Sequence, residues 1–78
     1  MLSVEFTIEP FVEGVPGLHV TAAVAAVEAL GASVEFGPFG TAFSAPVEKV
    51  PAMVGALLEA AYKNGATHVS VHVENSGA

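Results

Sequence analysis

Glu5, Thr7 and Glu9 are spaced two apart near the start of the chain, and His68, Ser70 and His72 repeat that spacing near its end. A period of two places each trio on one side of an extended strand. Carboxylates accept hydrogen bonds and attract cations, hydroxyls both donate and accept, and imidazoles bind metals or move protons. Three chemistries are therefore open: metal coordination, catalysis, and recognition of a small polar ligand. Between the trios lies "GPFGTAF", Gly37 to Phe43. Glycines there serve a tight turn, or they also let a ligand approach bare backbone.

Geometry decides between these. Four residues along a strand separate His68 from His72 by roughly 13 Å, too far to share one ion bound at about 2 Å. His72 with a cross-strand Glu5 or Ser3 still lacks further ligands, so no metal is expected. Ser70 sits between two histidines but has no sharp turn or oxyanion donors to activate it. Neither catalysis nor a cofactor is expected. The Gly37/Gly40 pair lacks the glycine-rich run and the Lys-Ser/Thr of a phosphate loop. His19, just inside a predicted helix, reads as a surface or capping residue. What remains is a binding face, or a strand face where Glu and Thr alternate simply because water covers it.

The elements that position these residues can be read in order. Leu2, Val4, Phe6 and Ile8 alternate with Ser3, Glu5, Thr7 and Glu9, and Pro10 ends that strand. A helix is predicted over Leu18–Leu30, with Val20, Val24, Val27 and Leu30 on one stripe and Gly31 after its end. Its other face is Ala22, Ala25, Ala26 and Ala29, which suits either packing on a partner or plain helix propensity. Ser33–Gly37 reads as a second strand with Val34 and Phe36 inward. A third begins near Thr41, beyond the Gly37-Pro38-Phe39-Gly40 connection. Pro51–Asn64 reads as a second helix with Val54, Leu57, Leu58 and Ala61 toward the core, and Glu59 and Lys63 as a solvent-side pair. The last strand, "THVSVHVE", turns Val69, Val71 and Val73 inward. "NSGA" reads as a frayed tail.

The order β-α-β-β-α-β with right-handed crossovers predicts an α+β, ferredoxin-like sandwich. It has a four-stranded antiparallel sheet of order 4-1-3-2, with both helices on one face. The start of the fourth strand, His68, then lies beside Thr7 and Glu9, and Thr41 reaches the same end from the other side. Whether Thr41 and Phe43 or Ala42 and Ser44 face the open side is left undecided by the sequence.

Composition narrows the partners. Seventy-eight residues make a single domain, Met1–Ala78, yet 53% of them are hydrophobic. A chain this short hides only about 60–65% of its unfolded surface, so a homo-oligomer, dimer or tetramer, is expected. Two Lys against eight Glu give a net charge of −6. That balance excludes the phosphate-neutralising footprint of a nucleic-acid binder and any pull toward an anionic membrane. There is no cysteine, membrane span or signal peptide, so the expected location is the cytoplasm.

The strand end "TIEPF", the hairpin "GPFGTAFSAP", the helix "ALLEAAYKNGATHV" and the final "VSVHVEN" together resemble the thiamine-binding-protein-like family, relatives of the tandem-domain YkoF proteins. The resemblance runs from Val4 to about Asn75. It departs from the family's pattern at Glu9, where an aromatic is frequent, and at Ala45-Pro46, where Gly-Asp is frequent. It implies oligomers built on open sheet faces and edges, and binding of thiamine or its hydroxymethylpyrimidine moiety without chemistry. An aminopyrimidine needs acceptors for its amine, partners for its ring nitrogens, and a flat apolar surface. On this resemblance the ligand-binding candidates are Glu5, Thr7, Glu9, Phe11, Gly37, Phe39, Thr41 and His68. The competing expectation is a structural or regulatory oligomerisation module with no ligand of its own.

Overall fold

Alternation in the first strand decides which way the sheet faces. In the computed structural model, which describes residues 1–10, 17–37 and 40–75, Leu2–Glu9 forms β1. Val4, Phe6 and Ile8 are buried on one side, while Glu5, Thr7 and Glu9 are exposed on the other. Leu18–Ala29 forms α1, Glu35–Gly37 β2, Gly40–Ala45 β3, Val50–Lys63 α2 and His68–Asn75 β4. The strands make one antiparallel sheet of order β2-β3-β1-β4, with the helices packed on each other over one face. This is the ferredoxin-like α+β sandwich that the element order predicts.

The core lies between sheet and helices. Val4, Phe6 and Ile8 of β1 meet Phe43 and Ala45 of β3, Ala23, Val24 and Val27 of α1, and Val50, Met53, Leu57 and Ala61 of α2. Phe6 and Phe43 pack edge to face, with ring centroids 6.2 Å apart. Burying each large apolar side chain contributes about 1.5–3 kcal/mol, which makes this cluster the main stabiliser of so small a fold.

Both helices end by the same device. In α1 the Ala32 N–H donates to the Val27 carbonyl and the Gly31 N–H to that of Glu28, with Gly31 at φ +101°. In α2 the Ala66 N–H donates to Ala61 and the Gly65 N–H to Tyr62, with Gly65 at φ +102°. Each pair satisfies carbonyls that the last turn leaves unpaired, and glycine takes the left-handed conformation at low cost.

Several details differ from the sequence reading. The buried line of α1 runs through His19, Ala23, Val24 and Val27, whereas Val20 is half-buried and Leu30 is exposed. That of α2 runs through Val50, Met53, Leu57 and Ala61, with Val54 and Leu58 only partly covered. Two helices sharing one layer each bury the line facing both sheet and neighbour, which rotates the stripe from the one apolar spacing alone picks out. β2 is shorter than Ser33–Gly37, and Phe36, although its pairing with Thr41 puts it on the helix side of the sheet, is left 70% exposed there. Val73 of β4 is likewise exposed. Both belong to outermost strands, which have a neighbour on one side only. Glu59 and Lys63 do not pair; the ion pair among the described residues is His72–Glu74.

Candidate ligand-binding site

The bare face of the sheet is organised by strand register. Glu5 of β1 stands opposite His72 of β4 on one side and Ala42 of β3 on the other, and Ala42 in turn stands opposite Glu35. One row therefore reads Glu35, Ala42, Glu5, His72. The next carries Thr7 opposite Ser70, and the last Glu9 opposite His68. Directly opposed side chains on one face have Cβ atoms about 4.5–5.5 Å apart, so each pair can grip one small group.

A shallow, open depression of about 230 Å³ lies over the Glu5–His72 and Thr7–Ser70 rows, lined by Glu5, Phe6, Thr7, Ser70, Val71 and His72. Its polar equipment is one carboxylate, two hydroxyls and one imidazole. The His72 Nε2 also lies 3.8 Å from a Glu74 carboxylate oxygen, both side chains being well exposed. Small Ala42 leaves the β3 side of Glu5 open. Among the described residues, no three His, Asp or Glu side chains gather closely enough to hold a metal ion.

The candidates from the sequence are only partly brought together. Glu5, Thr7, Glu9 and His68 share the open face and are exposed. Thr41 does not join them. It pairs with Phe6, faces the helices and is 8% exposed, leaving Ala42 and Ser44 on the open side of β3. The reason is Phe43, whose ring belongs in the core against Phe6 and carries Thr41 and Ala45 inward with it. Gly37 is exposed and pairs with Gly40. Phe11 and Phe39 lie outside the described residues. Ser70 and His72 join the site although they are not among the ligand-binding candidates of the sequence. Their alternation with Val69, Val71 and Val73 was visible, but their position beside Thr7 and Glu5 needs the register.

The hairpin question has a structural answer at Gly40. Its φ is +152°, and a Cβ there would stand 3.0 Å from the Phe6 carbonyl oxygen and 3.2 Å from Thr7 Cγ2. Close contact with β1 and an unusual backbone conformation together account for glycine at this position.

The Glu9 end of the face is engaged in structure. The Thr67 N–H donates to the Glu9 carbonyl at 2.8 Å, and the Thr67 hydroxyl reaches the same oxygen at 3.3 Å. With its one proton so used, that hydroxyl accepts from His68 Nδ1 at 3.1 Å. This end ties β1 to β4.

His19 is not a surface residue. It is 8% exposed, and its Nε2–H donates to the Pro10 carbonyl at 2.6 Å, clamping the chain leaving β1 to the first turn of α1. A carbonyl only accepts, so this nitrogen carries the proton. A Cβ on Gly17 would stand 2.7 Å from His19 Nδ1, so glycine makes room for the ring. His19→Ala removes a buried hydrogen bond and leaves a void. It is expected to cost about 2 kcal/mol in urea unfolding, against a few tenths for an exposed substitution such as His72→Ala.

Fold and face together define a class: a ferredoxin-like α+β sandwich whose uncovered sheet face carries carboxylates, hydroxyls and imidazoles. The model of the thiamine-binding protein family matches residues 4–75, and the chain belongs to that family. No curated protein matches the chain. Among solved structures it is similar to a domain of unknown function, DUF77, from Bacillus cereus, at 19% identity and a TM-score of 0.66, over 94% of this chain and 71% of that one. It is also similar to a protein from Streptococcus pneumoniae, at 22% identity and a TM-score of 0.61, over 99% of this chain and 87% of that one. At such identities these two likenesses speak to the fold. No helix among the described residues is long and apolar enough to cross a membrane.

Proposed function

We propose that the chain is a non-enzymatic binder of thiamine or its hydroxymethylpyrimidine moiety. It works as a cytoplasmic homo-oligomer, a dimer or tetramer, with its sites on or between open sheet faces. The observation that carries this reading is the depression over Glu5, Thr7, Ser70 and His72, in a chain of the thiamine-binding protein family. An aminopyrimidine amine donates to the Glu5 carboxylate, and its ring nitrogens accept from the Thr7 and Ser70 hydroxyls. The ring plane lies along β1 and β4.

An open depression covers a ligand on one side only, whereas small-molecule sites bury most of their ligand. A second copy laid on the open face supplies the other side. Binding without chemistry fits Ser70, which sits within β4 and not on a tight turn that aims two N–H groups at one oxygen.

Thermal shift followed by calorimetry tests this, with thiamine and hydroxymethylpyrimidine as ligands and light scattering to give the assembly. Ligand at about 100 times its dissociation constant adds roughly 2.7 kcal/mol of stability, a shift of many degrees in a domain this small. No saturable heat at millimolar ligand would leave the oligomerisation module as the better description.

A further inference from the structure

We infer that this site selects by charge, taking the unphosphorylated cationic or neutral ligand and rejecting its phosphate esters. The inference rests on the proposed binding role and adds to it the class of molecule excluded. Every formally charged side chain that the register places on the open face is a glutamate: Glu5, Glu9, Glu35 and Glu74. The chain's only formal cations besides its N-terminus are Lys49 and Lys63, since it has no arginine. Lys49 caps the start of α2 and Lys63 lies in its last turn, in the layer covering the opposite face.

Nor can the remaining chain or a partner copy supply the missing charge. Residues 11–16, 38–39 and 76–78 contain a single charged side chain, Glu13. A second copy that closes the site with its own open face brings four more glutamates and no lysine. The imidazoles have other contacts: His72 with Glu74, and His68 with Thr67.

A phosphate monoester carries close to two negative charges at neutral pH. Held over this face it meets several carboxylates within about one Debye length and no lysine or arginine side chain to receive it. A thiazolium carries the opposite charge and gains from the same field. Selection therefore comes from the sign of the whole face, with no steric gate required.

Calorimetry with thiamine, thiamine monophosphate, thiamine diphosphate and hydroxymethylpyrimidine tests this on the full chain at low and physiological salt. The monophosphate is expected to bind at least about tenfold more weakly than thiamine, and the diphosphate more weakly still, with the gap narrowing as salt rises. Glu35→Lys lies outside the depression, one row position beyond Ala42, and is expected to improve monophosphate affinity relative to thiamine. Phosphate esters binding as tightly as thiamine, or more tightly, would overturn the charge selection while leaving the binding role intact. No saturable heat from any of the four compounds would overturn the binding role and the selection with it.

Discussion

Leu57→Ala is expected to remove about 3 kcal/mol of folding stability. Leu57 is fully excluded from solvent and is among the three largest side chains so buried, with Val4 and Val27. It stands on the buried line of α2 between Met53 and Ala61, in the cluster that joins the helices to Phe6 and Phe43. Truncation loses the transfer energy of its methyl groups and leaves a cavity that a rigid sheet closes only in part. Single domains are stable by about 0.05–0.15 kcal/mol per residue, so for this chain the loss takes a large share of the total. Urea unfolding should show the midpoint falling with an unchanged slope, and Leu57→Met should cost less than about 1.5 kcal/mol. A loss below about 1 kcal/mol for the alanine variant would mean that α2 does not seat Leu57 in the core.

Glu5→Gln is expected to weaken thiamine or pyrimidine binding by about ten- to a hundredfold while leaving the fold intact. Glu5 is the one carboxylate lining the depression, flanked by His72 and Ala42. Hydrogen bonds to an ionised acceptor contribute about 1.5–3 kcal/mol, and the amide keeps the shape while losing the charge. The residue is exposed, so the melting temperature without ligand should change little. Glu9→Gln is the informative partner variant, because Glu9 lies two residues further along the same strand face, opposite His68. Calorimetry on both separates a site over the Glu5–His72 and Thr7–Ser70 rows from one at the strand end. Unchanged affinity in Glu5→Gln with a loss in Glu9→Gln would move the ligand to the His68 end.

Much of this architecture is legible in the sequence. Clean alternation in β1 and β4 sorted core from open face, because apolar and polar side chains there differ strongly in the cost of burial. Glycines and prolines marked the helix ends for a backbone reason that needs no tertiary contact. The helix stripes are less legible. Val20, Leu30, Val54 and Leu58 are as apolar as the residues that are buried, and only the packing of α1 on α2 picks the line that is covered. The burial of His19 is hidden for a related reason: its partner is a backbone carbonyl nine residues earlier, which side-chain patterns do not announce.

The sequence by itself determined the order of elements, the faces of β1 and β4, the acidic balance and the family resemblance. These follow from local periodicity and composition. Tertiary structure decided the rest of the site. In "GTAFSA" small and polar residues occupy both parities, so Phe43 packing against Phe6 was needed to send Thr41 inward and Ala42 outward. Cross-strand register then placed His72 beside Glu5 and Ser70 beside Thr7. Register depends on hydrogen bonding between segments more than sixty residues apart, and that pairing gathers separate alternating strands into one face.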